Sequence, residues 1–169
     1  MQDTKTILVI EDEPELLEAL SEMLAFEGYQ VIRARHGIEG IEQARKHIPD
    51  LILCDILMPG MDGFEVLQNL KKDLKTALIP FIFLTALSEQ NKIRSGMSMG
   101  ADDYIVKPFL RRELLDAIQS RFNKSALFEE HARQNMEKLR RNIISFLPHE
   151  LITPLNGIIS FGEIIWEHS

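Results

Sequence analysis

The sequence has few of the residues that would indicate disulfides, a membrane span or a secretory leader. Its single cysteine, Cys54, excludes an internal disulfide framework and a cysteine-based zinc site, and we expect it to be a small buried apolar residue. No apolar run reaches the roughly 18 residues that a membrane span needs. The segment from Met1 to Thr6 is too polar for a signal peptide. These absences predict a cytoplasmic protein without a membrane span.

Basic residues are outnumbered by acidic ones. The formal net charge is −7, from 19 Lys and Arg against 26 Asp and Glu. Because the electrostatic footprint of a nucleic-acid binder is a basic surface, this balance argues against a nucleic-acid partner. A hydrophobic content of 45% is nevertheless sufficient for an ordinary folded core.

The first two thirds of the chain alternate between short apolar runs and segments with helical periodicity. Several of the runs are apolar throughout, which is typical of strands buried on both faces of a parallel sheet. The pattern therefore predicts an α/β fold with a doubly wound five-stranded parallel sheet. The predicted strands are Thr6 to Ile10, Tyr29 to Arg33, Leu51 to Cys54, Ile79 to Leu84 and Asp103 to Val106, and the predicted helices are Glu15 to Phe26, Gly37 to Lys46, Phe64 to Leu70, Gln90 to Met99 and one that begins at Arg111.

Acidic residues follow two of the predicted strands at the edge where such sheets bind ligands. Glu11 and Asp12 follow the first strand, and Asp55 follows the third. Three converging carboxylates repel one another unless a cation lies between them, and hard oxygen ligands favour Mg²⁺. We therefore expect a Mg²⁺ site at Glu11, Asp12 and Asp55, with the backbone carbonyl of Leu57 as a further candidate ligand.

Two more polar residues reach the same edge from the fourth and fifth strands, Thr85 and Lys107. They are expected to bind the oxygens of a transferred phosphoryl group, with Asp55 as the nucleophile. Singly, each of these residues has an ordinary structural explanation as a helix cap, a turn residue or a solvated charge. Their placement together at the strand ends favours the functional interpretation.

Residues 1 to about 122 resemble the receiver domain of two-component response regulators. The resemblance covers the whole segment and is carried by Glu11-Asp12, by Asp55 with Met58-Pro59-Gly60-Met61-Asp62-Gly63, and by Thr85-Ala86, Gly100-Ala101-Asp102-Asp103-Tyr104 and Lys107-Pro108-Phe109.

This resemblance implies a flavodoxin-like strand order of 2-1-3-4-5 and phosphoryl transfer from the phosphohistidine of a donor protein to Asp55. It also implies a cis peptide bond before Pro108. Thr85 and Tyr104 would act as a switch pair, the threonine moving toward the phosphate while the aromatic ring turns inward. The domain would catalyse its own phosphorylation and dephosphorylation.

Beyond Arg111 the sequence can remain helical to Phe146, because Gly and Pro are absent from 111–147. Its apolar residues alternate four- and three-residue spacings, as a coiled-coil seam does. A lone amphipathic helix that folds back on the receiver is the alternative; a parallel helix pair with a second chain, giving a homodimer through 122–169, fits the pattern better. The seam residues are Ala132, Met136, Leu139, Ile143 and Phe146.

The string from Phe146 to Asn156 resembles the H-box of sensor histidine kinases, although Ile152 stands where arginine is common and Pro148 directly precedes the histidine. By that resemblance His149 would accept phosphate and Glu150 would help to draw its proton. The expected domains are a receiver at 1–122, a helical coiled-coil linker at 123–147 and the first helix of a histidine kinase phosphotransfer domain at 148–169. We expect a fragment of a longer hybrid kinase without its ATP-binding domain, and hence not a complete kinase.

The leading hypothesis is a phosphorelay protein in which phosphorylation of Asp55 regulates a C-terminal histidine kinase module through the helical linker. A transcriptional response regulator with a helical effector tail is the alternative. A hydrolytic phosphatase is a third, but Leu57 stands where such enzymes usually place a second acid. Transfer between Asp55 and His149 and transfer from a separate kinase are both compatible with the sequence.

Overall fold

A computed structural model of the chain describes residues 4–86 and 98–146. Its centre is a five-stranded, all-parallel sheet with the order β2-β1-β3-β4-β5. The predicted fold class and strand order are therefore confirmed. The strands are β1 (Thr6–Ile10), β2 (Gln30–Ala34), β3 (Leu51–Asp55), β4 (Phe81–Ala86) and β5 (Asp103–Lys107).

Burial explains why the central strands are apolar throughout. Every residue of β3 is buried, and so are the last four residues of β1. Side chains of these strands alternate between two apolar clusters, one on each face of the sheet. Cys54 is fully buried in one of these clusters, as predicted, and its thiol is free.

Three helices follow the first three strands, and each buries one apolar face. They are α1 (Pro14–Phe26), α2 (Gly37–His47) and α3 (Gly63–Lys71). Pro14 begins α1, a position where its missing N–H costs nothing. Asp62 and Glu65 form a reciprocal capping box at the start of α3. Each of these three strands is thus followed by a helix that begins at a defined residue.

Two strands start later than the sequence predicts, and backbone hydrogen bonds explain both starts. The strands β2, β3, β4 and β5 also end one or two residues later than predicted. Tyr29 was expected to begin the second strand, but its N–H donates to the carbonyl of Leu24 and completes the end of α1. Ile79 was expected to begin the fourth strand, but its N–H donates to Thr76 in a turn. Pro80 has no N–H to donate to a neighbouring strand, so β4 begins at the residue after it, Phe81.

The last described helix, α4 (Arg111–Phe146), contains 36 residues. By its contacts the chain divides after Ser125 into two compact units. In the first unit, Leu114 and Ile118 of α4 are fully buried in the apolar cluster on one face of the sheet. In the second unit, the α4 side chains Met136, Leu139 and Ile143 are exposed.

Parts of the prediction fall outside the described residues. Most of the expected helix at 90–99 does, as does the H-box string from residue 147 onward. The domain boundaries, the coiled coil and the dimer stay predictions. Within 4–86 and 98–146, no helix is long and apolar enough to cross a membrane.

Candidate active site

The site lies where the parallel strands β1, β3, β4 and β5 end. Because the strands run in one direction, the residues at their carboxyl ends reach the same edge of the sheet. Asp55 closes β3 and is paired with Leu84 of β4, and Lys107 closes β5 and is paired with Ala86. Glu11 directly follows β1 and remains tied to the sheet through its N–H, which donates to Ala34 at 3.0 Å.

The three predicted carboxylates converge at this edge. One carboxylate oxygen from each of Glu11, Asp12 and Asp55 lies within 4.8 Å of the other two. Glu11 and Asp55 are buried, and Asp12 is half-buried. Such a set of hard oxygen donors, open on one side, fits a small divalent cation that keeps part of its water shell. The cluster is therefore a suitable Mg²⁺ site.

Lys107 lies against two of these carboxylates. Its Nζ donates to Oε2 of Glu11 at 2.7 Å and lies 3.2 Å from Oδ2 of Asp55. A buried carboxylate is costly unless it is paired with a positive charge. The ammonium group therefore balances the two most buried acids of the site.

Burial and pairing act in opposite directions on the protonation of the site. Burial raises the pKa of Asp55 above its ordinary value, although the charge of Lys107 and hydrogen bonds from the backbone N–H groups of Ile56 and Leu57 oppose that shift. The pKa of Glu11 is also raised, by burial first, against the hydrogen bond from Lys107 and with a contribution from the charge of Asp55.

The pKa of Lys107 responds to the same neighbours. Burial lowers the pKa of Lys107, but the hydrogen bond with Glu11 and the charges of Asp55 and Glu11 together raise it by more. The pKa of Lys107 therefore lies above its ordinary value. The lysine therefore stays protonated at neutral pH. A cation at this position can contact an anionic group that reaches Asp55.

The two residues of the predicted switch pair lie on neighbouring strands. Thr85 is fully buried on β4, and its Oγ1 donates to the carbonyl of Ala86 at 3.1 Å. Tyr104 lies on β5, paired with Phe83, and is 42% exposed. In this structure the aromatic side chain is therefore partly exposed to solvent.

Two predictions concern backbone at the site. The peptide bond between Lys107 and Pro108 is cis, as the resemblance implies. Leu57, two residues after Asp55, exposes 53% of its surface. The role of the Leu57 carbonyl as a metal ligand stays a prediction. His149 and Glu150 lie outside the described residues.

One residue at the site has no counterpart among the predicted site residues, Gly63. A Cβ at this position would lie 2.4 Å from the backbone carbonyl oxygen of Asp55. Two signals in the sequence point to this position: the motif that carries the family resemblance ends at Gly63, and Asp62 followed three residues later by Glu65 marks a helix start. These signals locate the beginning of α3 but not its distance from the nucleophile.

Comparison with known proteins agrees with this geometry. The family model described as the response regulator receiver domain matches residues 7–119. Among solved structures, the signal receiver domain of a signal transduction histidine kinase from Syntrophus aciditrophicus aligns with a TM-score of 0.67 and 35% identity, covering 72% of this chain and 92% of that one.

Curated relatives include proteins of different lengths. The DNA-binding dual master transcriptional regulator RpaA of Synechocystis sp. is 38% identical over 143 residues, covering 84% of this chain but 58% of that protein. Protein PilH of Pseudomonas aeruginosa is 38% identical over 114 residues, covering 68% of this chain and 94% of that protein. This chain spans about half the length of several curated relatives that it matches, for example 51% of the response regulator GtcR of Aneurinibacillus migulanus.

Proposed function

The chain belongs to the response regulator receiver domain family of phosphorelay signalling, and on that premise we propose that Asp55 accepts a phosphoryl group from a phosphohistidine in a Mg²⁺-dependent reaction. The observation that carries the proposal is the convergence of Glu11, Asp12 and Asp55 within 4.8 Å, with the Lys107 ammonium beside them. These are a nucleophile, two further carboxylates and a fixed cation in one place.

The transfer would be a displacement at phosphorus. A carboxylate oxygen of Asp55 attacks the phosphorus, a P–O bond forms and the P–N bond to the donor histidine breaks. The bond electrons stay with the imidazole, which leaves as a neutral ring because its other nitrogen already carries a proton. Nearly all the protein's contribution to such a reaction is positioning and charge.

The chain's own groups have distinct parts in this reaction. Lys107 would exchange its ion pair with Asp55 for a contact to a phosphoryl oxygen, while its bond to Glu11 keeps it in place. The Thr85 hydroxyl would donate to a second phosphoryl oxygen. Glu11, Asp12, Asp55 and the Leu57 carbonyl would hold Mg²⁺, which supplies positive charge to the transferred group.

Incubation of the full chain with acetyl phosphate, with and without Mg²⁺, tests the proposal. Intact-mass spectrometry should show one base-labile phosphoryl group that requires Mg²⁺ and is lost in Asp55→Asn. A matched control is Asp73→Asn, which changes a half-buried acid that pairs with Arg45 away from the strand ends. Equal phosphorylation of Asp55→Asn and wild type would refute the assignment of the acceptor.

We propose further that the second unit pairs with a second copy of the chain as a parallel helix pair. Met136, Leu139 and Ile143 are 68%, 54% and 47% exposed, and with Ala132 they alternate four- and three-residue spacings. Burying such a side chain fully is worth on the order of 1.5–3 kcal/mol. The exposed stripe therefore favours a partner helix.

The polar residues beside this stripe favour a parallel arrangement. Arg133 and Arg140 directly follow two seam residues, and Asn135 and Asn142 directly precede two others. In a parallel pair these two flanks face each other, so that arginine meets asparagine. In an antiparallel pair each flank faces itself, and arginine meets arginine.

Light scattering after gel filtration tests the helix pair. Leu139→Lys places a charge in the seam and should yield monomers. Leu127→Lys is the matched control, because Leu127 is 62% exposed on the opposite side of the same helix. A wild-type chain that is monomeric at high micromolar concentration would refute the pairing.

For the output of the phosphorelay we favour control of a histidine kinase module through α4. The supporting observations are the H-box string that begins at His149 and the likeness to the receiver of a histidine kinase. Substituting Asp55→Asn in the full-length protein should change the rate of His149 phosphorylation. An unchanged rate would contradict this output.

A transcriptional output is the second candidate, because several relatives are named as transcriptional regulators. It would require a DNA-binding segment, so retention on DNA that falls steeply with added salt would support it. Absence of such retention in the full-length phosphorylated protein would exclude it.

A further inference from the structure

Gly63 lies where α3 meets the backbone of the phosphoacceptor strand. Its N–H donates to the carbonyl of Ile56 at 2.9 Å, so the loop between β3 and α3 is closed on itself. A Cβ built on Gly63 would lie 2.4 Å from the Asp55 carbonyl oxygen, 3.0 Å from the Ile56 Cα and 3.2 Å from the Asp55 carbonyl carbon. All three atoms are backbone, so no side chain can rotate away to make room.

The need for glycine here is one of space. Among the glycines of the described ranges, those with positive φ are Gly28, Gly60 and Gly100, and Gly63 is not one of them. Gly63 is instead the first residue of α3, with ordinary helical partners and a capping box formed by Asp62 and Glu65. An alanine would suit the helix but would collide with Asp55.

The backbone that Gly63 contacts carries the reactive groups. Asp55 carries the nucleophilic carboxylate on this backbone, and the N–H of Ile56 donates to the carbonyl of Leu84 at 3.1 Å, which ties the end of β3 to β4. Leu57 carries the carbonyl that is the candidate fourth metal ligand. A displacement of Asp55 and Ile56 by a few tenths of an ångström would therefore change the direction of the nucleophile and of a ligand together.

We propose that Gly63 is a positioning residue for phosphoryl transfer. Because it has no side chain, the start of α3 can pack directly against the backbone of Asp55, and this contact fixes the orientation of the Asp55 carboxylate. This inference rests on the proposed function of Asp55 as acceptor. The expected consequence of Gly63→Ala is a folded protein with a slower chemical step. Reacting groups that are misplaced by about 1 Å can lose about 100-fold in rate.

Gly40→Ala provides a matched control. Its Cβ would also meet atoms at 2.4, 2.9 and 3.0 Å, but all three belong to the side chain of Ile10 and none to backbone. Each variant thus adds one methyl group at a tightly packed position of a helix. Gly63 is at the start of α3, and Gly40 is within α2. Only Gly63→Ala pushes on the nucleophile's backbone.

The experiment measures phosphorylation of the full chain by acetyl phosphate as a function of donor and Mg²⁺ concentration. We expect Gly63→Ala to lower the rate constant at saturating donor by about tenfold or more and to raise the Mg²⁺ concentration for half-maximal rate. Gly40→Ala should keep the wild-type values of both, whatever its melting temperature. A wild-type rate and Mg²⁺ dependence in folded Gly63→Ala would overturn the inference.

A second pair of variants covers the case in which Gly63→Ala does not fold. Asp62→Ala removes the cap that holds the start of α3 and should slow phosphorylation, while Asp62→Asn retains a capping side chain and should restore the rate. Equal rates in these two variants would overturn the inference as well. Failure of the wild-type chain to become phosphorylated would instead refute the proposed function.

Discussion

Replacing Lys107 with methionine tests the electrostatic account of the site most severely. The substitution keeps a similar apolar volume but removes the ammonium group that lies 2.7 Å from Glu11 and 3.2 Å from Asp55. Removing one partner of a buried ion pair costs 3–5 kcal/mol in typical cases. Because the Lys107 side chain is 22% exposed, water can reach the site, and we expect a loss of about 2–4 kcal/mol.

Urea unfolding at pH 7.5 in the presence of a chelator measures this loss. At pH 5 the difference in the free energy of unfolding between Lys107→Met and wild type should shrink. Glu11 and Asp55 can then take up protons, so that they no longer remain as two buried negative charges without a cation. Phosphorylation at saturating Mg²⁺ and acetyl phosphate should fall by about 100-fold or more, the usual effect of removing one group that stabilises developing negative charge.

Lys71→Met is the control for this substitution. Lys71 is also partly buried, but its Nζ donates to the neutral carbonyl of Ala77 at 2.8 Å. Its replacement should cost about 1 kcal/mol, with no dependence on pH between 5 and 7.5 and no effect on phosphorylation. Equal stability of Lys107→Met and wild type at both pH values would refute the account, since the two carboxylates would then need no cation.

Further predictions concern the same charges and the attachment of α4. The folded-state pKa values of Glu11 and Asp55 are raised above their ordinary values of 4.5 and 3.8. The protonated forms of these two acids should therefore contribute their full stability below the ordinary pKa values, and this contribution should be lost as the pH rises through the folded-state pKa values. Urea unfolding of the metal-free protein across pH 4 to 7 measures this loss, and Asp55→Asn should reduce it. Arg121 donates to the carbonyl of Asp102 at 2.9 Å from a largely buried position, so Arg121→Met should lower the free energy of unfolding by about 1–3 kcal/mol. Arg112→Met, which removes only an exposed ion pair, should change it by less than about 1 kcal/mol, and equal losses in the two variants would contradict this difference.

The sheet could be predicted because its central strands β1, β3 and β4 are buried on both faces. A run such as Leu51 to Cys54 leaves few alternatives to an interior strand, and its neighbours follow at regular intervals. The predicted strand starts are wrong where a local backbone hydrogen bond competes with strand pairing. Tyr29 has a side chain that favours strands and directly precedes β2, yet its N–H completes the end of α1, and no sequence pattern indicates that hydrogen bond.

The site could be predicted only in part. The rule that ligands bind at the carboxyl ends of parallel strands brings Glu11, Asp12 and Asp55 together before any coordinate is known. The ion pair of Lys107 with Glu11 joins residues 96 positions apart in sequence, and its geometry depends on the register of β5. The close approach of Gly63 is likewise a tertiary distance, which a helix-start pattern does not contain.

The central claim is that Asp55 is the Mg²⁺-dependent phosphoacceptor, and chemical trapping tests it most directly. Borohydride reduces an aspartyl phosphate to homoserine, so treating the chain after incubation with acetyl phosphate marks the acceptor covalently. The account predicts homoserine at position 55, formed with Mg²⁺ and not without it. Homoserine at position 12 or 103 instead, or none at position 55 in the presence of Mg²⁺, would contradict it.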